Sequence, residues 1–200
     1  AASFRWLSHA VSRVKETRKL ALVTAPIAKY AWHAAGHLYP GQTERLAELD
    51  GTNQASMLFT AISPTTGWRL NTLLATTHIP LQMVPTALTS ELLLSKLDVL
   101  CDFCQRFNPN PHLLVAGLNP HAGEQGRLGL EEKNWLIPAL QMWQKSHPHV
   151  RLDGPMPPDT CWLSAAKAWQ QGKQPESPDG ILALYNDQGL YKKAEPLYER

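Results

Sequence analysis

Short apolar segments that end in polar residues constrain the fold of this 200-residue chain more than any other feature. Segments 19–25, 112–118 and 180–185 are apolar runs without a helical stripe, so each predicts a buried β-strand. Segments 58–63 and 70–77 flank a Pro-Thr-Thr-Gly turn and predict two further strands. The chain therefore has the strand content for one central sheet.

Helical segments separate these strands. Apolar residues recur at helical spacing in 3–19, and 91–107 predicts a long helix. Segment 131–145 predicts a helix with a kink at Pro138, and Pro26 suits the first turn of a helix that ends near Gly36. Strands that alternate with helices predict an α/β fold on a largely parallel sheet. We expect one such region over residues 1–200, and no internal boundary is evident.

Polar residues directly follow several of the predicted strands. Thr24, His78, His121 and the pair Asn186 and Asp187 occupy such positions. Ligands of open α/β sheets bind beyond the carboxyl ends of the strands. We therefore expect one edge of the sheet to gather these residues into a single cleft.

Charge and hydropathy exclude several classes of protein. The net charge of +2 is small and the basic residues are scattered, which argues against a nucleic-acid partner. The most apolar helical segment, 92–103, contains Lys96, Asp98 and Asp102, so we expect no membrane span. Three cysteines and a start without a basic-then-apolar order indicate neither a disulfide framework nor a secretory signal. We expect a cytoplasmic protein.

Two histidines at strand ends are candidate metal ligands. His78 and His121, together with Asp159 and Asp187, have the donor types that bind Zn²⁺ or a similar divalent ion. Their spacing is not diagnostic, because unconnected loop histidines are more often ordinary polar surface. The residues alone leave both interpretations open.

Two other patterns favour ordinary structural roles. Cys101 and Cys104 form a C-x-x-C pair inside an apolar helical stripe, and Cys161 cannot complete a four-thiolate site. We expect core or partly buried thiols. No G-x-G-x-x-G fingerprint follows a predicted strand, so the pattern alone does not predict a nicotinamide cofactor.

Six ordered segments resemble the 4-hydroxythreonine-4-phosphate dehydrogenase family, and they span residues 23 to 190. The family motif NPHAGE is highly specific, and the shared order makes coincidence improbable. The segments are VTAPIAK (23–29), YPGQTE (39–44), TTHIPL (76–81), GLNPHAGEQG (117–126), GPMPPDT (154–160) and LYNDQGL (184–190).

The resemblance implies a layered α/β fold similar to that of the isocitrate and isopropylmalate dehydrogenases, which bind NAD without the glycine fingerprint. It also implies a homodimer in which the partner subunit completes each active site. In the family, three histidines from the two subunits hold a divalent metal. The matching positions are His78, His121 and Asn186.

Two positions depart from the family motifs. The family motif YHDQG has a histidine where this chain has Asn186. An amide oxygen is a weaker ligand than imidazole, so the substitution should disfavour zinc relative to Mg²⁺ or Mn²⁺. Asp187 or Asp159 could compensate. The family motif GHTE has a histidine where this chain has Gln42. In the family, that histidine and the threonine after it, which is Thr43 here, contact the substrate. Glutamine can hydrogen-bond but cannot titrate near neutrality.

The implied reaction is NAD-dependent, metal-assisted oxidation of 4-hydroxythreonine 4-phosphate, with decarboxylation, in the synthesis of pyridoxal phosphate. Lys29, Asp159 and Asp187 are the catalytic residues carried over, although Lys29 could equally be a surface lysine. The NAD-binding residues are not identified. Family chains extend beyond this one at both ends, so we expect an incomplete fold. Two alternatives remain, namely an inactive homologue or fragment, and a dehydrogenase of a related phosphorylated hydroxy acid.

Overall fold

The computed structural model describes residues 2–17, 20–52 and 55–185. Its contacts divide the chain into two compact units, Ala1–Ala55 and Ser56–Arg200. No helix of the described ranges is long and apolar enough to cross a membrane.

The first unit is built from three helices in its described part: α1 (Ala2–Glu16), α2 (Lys29–Ala34) and α3 (Gln42–Asp50). The apolar spacing at the start of the chain correctly predicted α1. Trp32 of α2 is 1% exposed, and its indole N–H donates to Ser3 Oγ of α1 at 2.9 Å. The buried indole therefore joins α1 and α2 through both apolar packing and one hydrogen bond.

The predicted strand at 19–25 is wrong. Residues 20–28 have no regular secondary structure, and Val23 is 93% exposed. Apolar content alone does not make a strand, because a strand also needs a neighbour to pair its backbone groups. Thr24 therefore does not follow a strand. The next helix begins at Lys29, three residues after the predicted start at Pro26.

The second unit contains a five-stranded sheet in the order β1-β2-β5-β3-β4. The strands are β1 (Met57–Ile62), β2 (Arg69–Leu74), β3 (His112–Ala116), β4 (Arg151–Met156) and β5 (Gly180–Ala183). The β1–β2 hairpin is antiparallel, and the pairs β2–β5, β5–β3 and β3–β4 are parallel. This sheet confirms the predicted α/β fold.

Both faces of the central strands β3 and β5 are buried. Leu113, Val115 and Leu182 face one apolar core, while Leu114 and Ile181 face the other. This alternation explains why β3 and β5 are almost continuously apolar in sequence. The helices of the second unit are α4 (Val84–Ala87), α5 (Ser90–Gln105), α6 (Ile137–Ser146) and α7 (Leu163–Gln171). Residues of α5 and α6 pack in the first core, and residues of α7 pack in the second.

The sequence did not predict three elements of this unit, namely α4, β4 and α7. Strand β4 contains Gly154 and Pro155, both of which are unfavourable in strand interiors, and it lies at the edge of the sheet where they are tolerated. The predicted helix at 131–145 is present as a π-helical turn, Glu132–Leu136, followed directly by α6, and Pro138 lies in the first turn of α6.

Cys101 and Cys104 are core thiols, as predicted. Their residues are 3% and 1% exposed in α5, and neither forms a disulfide. Burial, supplemented by the nearby Asp179 carboxylate, raises the pKa of Cys104 to about 12. Such a thiol is protonated at neutral pH and is a poor nucleophile or metal ligand.

Candidate active site at the carboxyl edge of the sheet

Four parallel strands end at the same edge of the second unit. β2, β5, β3 and β4 are neighbours in that order, so the loops after Leu74, Ala183, Ala116 and Met156 leave from one edge. Ligands of α/β sheets bind at this edge. His78, His121 and Asp159 lie in three of these loops, while Asn186 and Asp187 follow β5 in sequence but lie outside the described residues.

The loop after β2 is tied to the sheet until shortly before His78. Ala75 N–H donates to Ala183 O at 2.8 Å, and the Thr76 hydroxyl donates to Leu184 O at 2.8 Å. Thr76 is buried, whereas His78 is exposed and has a φ of +53°. The chain bends at His78, where the backbone is in the left-handed region. Its imidazole is thus available to a ligand at the carboxyl edge.

The loop after β3 has an unusual backbone. Gly117 N–H donates to Met156 O at 2.7 Å, which ties the start of the loop to the end of β4. Residues 121–125 then have positive φ values, including +53° at His121 and +42° at Glu124. His121 itself is exposed. This short left-handed segment presents the second imidazole at the edge.

A buried carboxylate anchors the same loop. Glu132 is 2% exposed, and its Oε1 accepts from the backbone N–H groups of Leu118 at 2.9 Å and Asn119 at 2.7 Å. The Asn119 amide donates to Glu132 Oε2 and to Glu131 Oε2, both at 2.8 Å. Polar atoms that fold away from water are therefore paired at the base of the loop.

Asp159 lies in the turn after β4. Thr160 N–H and Cys161 N–H both donate to Pro157 O, at 3.1 and 2.9 Å, and this turn leads into α7. Asp159 is exposed. The carboxylate can therefore be reached from solvent, at the edge from which the His78 and His121 loops leave.

The remaining predicted residues lie in the first unit. Lys29 and Thr43 are exposed, and Gln42 begins α3. A Cβ added at Gly41 would lie 4.0 Å from Lys29 Nζ, so the ammonium group lies beside the YPGQTE motif. Gln42 Nε2 donates to Ala25 O at 2.9 Å, which connects this motif to the VTAPIAK segment. The first unit thus brings Lys29 and Gln42 close to one turn.

The donor types fit a divalent metal only in part. His78 and His121 offer imidazoles, which suit zinc and related ions. Within residues 2–17, 20–52 and 55–185, however, no three His, Cys, Asp or Glu side chains are grouped closely enough to hold a metal. The third family position, Asn186, lies beyond residue 185. The metal site and its ligand set therefore remain a prediction.

A cavity of about 330 Å³ lies at the opposite edge, where β2 and β5 begin. Several of its polar lining groups bond to Asp179. Asn71 Nδ2 donates to Asp179 O and Asn108 Nδ2 donates to Asp179 Oδ2, both at 2.8 Å, and Lys173 pairs with the same carboxylate. This network fixes the start of β5. We therefore place the candidate active site at the carboxyl edge, where the motif residues lie.

Comparison with known families gives the chain its place. The model of the family described as "Pyridoxal phosphate biosynthetic protein PdxA" matches residues 1–193. The chain belongs to this family. The membership confirms the resemblance seen in the six sequence motifs.

Individual relatives agree. The chain is 62% identical over 191 residues to the 4-hydroxythreonine-4-phosphate dehydrogenase of Synechococcus sp. (strain RCC307), covering 95% of this chain and 58% of the relative. It is 53% identical over 192 residues to the enzyme of the same name from Synechocystis sp. (strain ATCC 27184 / PCC 6803 / Kazusa), covering 95% and 55%. The chain thus spans little more than half the length of these relatives.

A solved structure confirms the fold of the PdxA family. The crystal structure of 4-hydroxythreonine-4-phosphate dehydrogenase from Klebsiella pneumoniae superimposes with a TM-score of 0.77 at 33% identity. The match covers 97% of this chain and 53% of that one. The isocitrate and isopropylmalate dehydrogenase-like layered fold that the motifs implied is therefore correct.

Sequence reasoning missed Glu132 and Asn119. It interpreted the acidic residues at the start of the 131–145 helix only as partners of the helix dipole. The bonds that join Glu132 to Leu118 and Asn119 span 14 and 13 residues, and no local motif marks such pairs. The NPHAGE motif was the only signal in the sequence. The structure shows that this motif has a left-handed backbone, which needs support from residues outside the loop.

Proposed function

We propose that the protein to which this chain belongs oxidises 4-hydroxythreonine 4-phosphate with NAD during pyridoxal phosphate synthesis. The observation that carries the proposal is the 62% identity to a relative named for this activity. The fold supports it, because the strands that precede His78, His121 and Asp159 all end at one edge of the sheet.

We assign the metal to His78, His121 and Asn186, as the family motifs suggest. A bound divalent ion would supply Lewis-acid stabilisation of negative charge on substrate oxygens. An amide oxygen at Asn186 is a harder ligand than imidazole, so the balance should move from Zn²⁺ towards Mg²⁺ or Mn²⁺. Asp187 or Asp159 would add the negative charge that such an ion prefers.

The chain's other polar residues would bind the substrate and move protons. Lys29 carries a positive charge beside the YPGQTE turn, where a phosphate or carboxylate could pair with it. Gln42 and Thr43 would donate hydrogen bonds to substrate oxygens, and in doing so Gln42 would exchange its bond to Ala25 O. Asp159 is exposed to solvent and can accept a proton from bound substrate.

We further propose that the protein acts as a cytoplasmic homodimer whose active sites are shared between the subunits. Two observations support this proposal, namely the family pattern and the distribution of the candidate metal ligands over different loops. His78 and His121 lie in different loops of one chain, and no three His, Cys, Asp or Glu side chains are grouped as metal ligands within the ranges that the structure describes. A partner subunit would supply the remainder. Light scattering during size-exclusion chromatography tests this, since a strictly monomeric species at micromolar concentration would contradict it.

A second candidate function is that of an inactive homologue. Gln42 and Asn186 replace two family histidines, and the Gln42 amide already bonds to Ala25 within the first unit. Such a protein would keep the fold while binding neither metal nor cofactor. A changed substrate, in the form of a related phosphorylated hydroxy acid, would also be consistent with Gln42.

Isothermal titration separates these functions. The protein is titrated with Zn²⁺ or Mn²⁺, then with NAD⁺ and phosphorylated hydroxythreonine. The dehydrogenase should bind all three classes of ligand, and His78→Ala or His121→Ala should weaken metal binding while the exposed His9→Ala does not. Binding of none of them identifies the inactive homologue. Binding of metal and NAD⁺ without this substrate indicates a different hydroxy acid.

A further inference from the structure

The loop that presents His121 holds a conformation that its own residues disfavour. Positive φ values run without a break from residue 121 to residue 125, and only Gly123 among these five is a glycine. The left-handed helical conformation costs roughly 1–2 kcal/mol for each residue that has a Cβ. Backbone strain of this kind persists where the surrounding structure fixes it.

The side chain of Glu132 provides that support. Its Oε1 accepts from Leu118 N–H and Asn119 N–H, the last two backbone donors before Pro120. Its Oε2 accepts from Asn119 Nδ2 and lies 2.8 Å from where a Cβ on Gly123 would be. One buried carboxylate therefore contacts both the base and the middle of the loop. Hydrogen bonds to an ionised acceptor are stronger than those between neutral groups.

We propose that Glu132 is a positioning residue that holds loop 117–126 in the conformation that presents His121 at the carboxyl edge. The inference rests on the proposed function for the metal role of His121, but its structural part stands on the contacts of Glu132 alone. Glu132 reaches no substrate in this role. It acts through Leu118, Asn119 and Gly123.

Glu131 is a natural control for Glu132. It is also a glutamate, it contacts the same Asn119 amide at 2.8 Å, and it begins the same helical segment. Its own backbone N–H, followed by the Asn119 side chain, lowers the pKa of the Glu131 carboxyl. The bond from Asn119 to Glu131 comes from its side chain, whereas Glu132 also accepts from the backbone N–H groups of Leu118 and Asn119.

The experiment compares Glu132→Ala, Glu132→Gln and Glu131→Ala with the wild-type chain. Amide hydrogen exchange, followed by NMR, reports on Leu118 and Asn119. Isothermal titration with Zn²⁺, and the visible absorption of bound Co²⁺, report on His121. Glutamine retains an acceptor for the two backbone N–H groups but offers a donor where Asn119 also donates, so Glu132→Gln should rescue part of the effect.

Glu132→Ala should speed exchange at both amides and weaken Zn²⁺ binding roughly 10–100-fold, the usual loss when a supporting partner of a metal ligand is removed. Glu131→Ala should change Zn²⁺ affinity by about twofold at most. If Glu132→Ala does not fold, Glu132→Gln is compared with Glu131→Ala in the same way, and smaller changes in amide exchange and Zn²⁺ affinity are expected.

Two results would overturn the inference. If amide exchange at Leu118 and Asn119 is unchanged in Glu132→Ala, Glu132 does not hold the loop. If exchange is faster but Zn²⁺ affinity stays at the wild-type value, the contacts of Glu132 do not position His121. A wild-type chain that binds no Zn²⁺ or Co²⁺ contradicts the proposed metal site instead. In that case the exchange data still decide whether Glu132 holds the loop.

Discussion

Adding a methyl group at Gly123 should destabilise the second unit far more than adding one at Gly67. The two glycines have similar φ values, +77° and +71°, so the backbone cost of alanine is about 1–2 kcal/mol at each. A Cβ at Gly67 would meet nothing within 4 Å, whereas one at Gly123 would lie 2.8 Å from Glu132 Oε2. Displacing that oxygen breaks its bond to Asn119 Nδ2, and a hydrogen bond to a charged group contributes about 1.5–3 kcal/mol.

Urea denaturation of Gly123→Ala and Gly67→Ala measures this difference directly. Both substitutions lie in the second unit, so the same unfolding transition reports on both. We expect Gly123→Ala to lose about 1.5–3 kcal/mol more than Gly67→Ala, with similar m values. Equal losses would refute the reasoning, because they would show that the Glu132 carboxylate moves aside without cost.

Three further predictions concern other parts of the chain. Burial raises the pKa of Asp179, but its bonds with His112 N–H, Lys173 and Asn108 outweigh burial and lower it, so its contribution to stability is present above the unfolded pKa of about 4 and is lost at lower pH. Asp179→Asn should therefore flatten the dependence of unfolding free energy on pH in acid, as measured by urea titration, and an unchanged slope would contradict this. Cys104, with a pKa of about 12, should resist iodoacetamide at pH 8 until urea unfolds the protein, and mass spectrometry that finds rapid labelling of the folded chain would contradict its burial. Asn186→His should tighten Zn²⁺ binding at least about 10-fold in a titration. If it has no effect while His121→Ala abolishes binding, Asp187 or Asp159 already provides the third ligand.

The spacing of apolar residues and the positions of turn residues predicted most of the second unit. The strands β1, β2, β3 and β5 and the helix α5 lie within a few residues of their predicted positions. Buried parallel strands are continuously apolar, and a Pro-Thr-Thr-Gly turn separates the hairpin strands, so each has a local signal. Strand β4 has none, because Gly154 and Pro155 interrupt it and its place at the sheet edge tolerates them.

The first unit shows the limit of the same reasoning. Segment 19–25 has the composition of a strand, yet Val23 is almost fully exposed. Whether a short apolar run forms a strand depends on a partner elsewhere in the chain, which composition does not encode. Helix α3 was also not predicted, since most residues of Gln42–Asp50 are polar and none of them is buried.

Part of the candidate site could be predicted as well. The order of strands places the His78 and His121 loops at one edge, as expected from their strand-end positions. The Asp159 loop leaves from the same edge, but it follows β4, which the sequence did not predict. Nothing local predicted that Glu132 supports the His121 loop. That contact forms because the chain continues from the loop into a π-helical turn that packs back against the loop. The bonded residues are 13 and 14 positions apart in sequence.

The most direct test of the carboxyl-edge site is anomalous X-ray scattering from crystals of the protein grown with Zn²⁺. We expect an anomalous peak in contact with the imidazoles of His78 and His121, either within one chain or between two chains of a dimer. Imidazoles of His78 and His121 that point into separate, unconnected pockets, with zinc bound elsewhere or not at all, would contradict it.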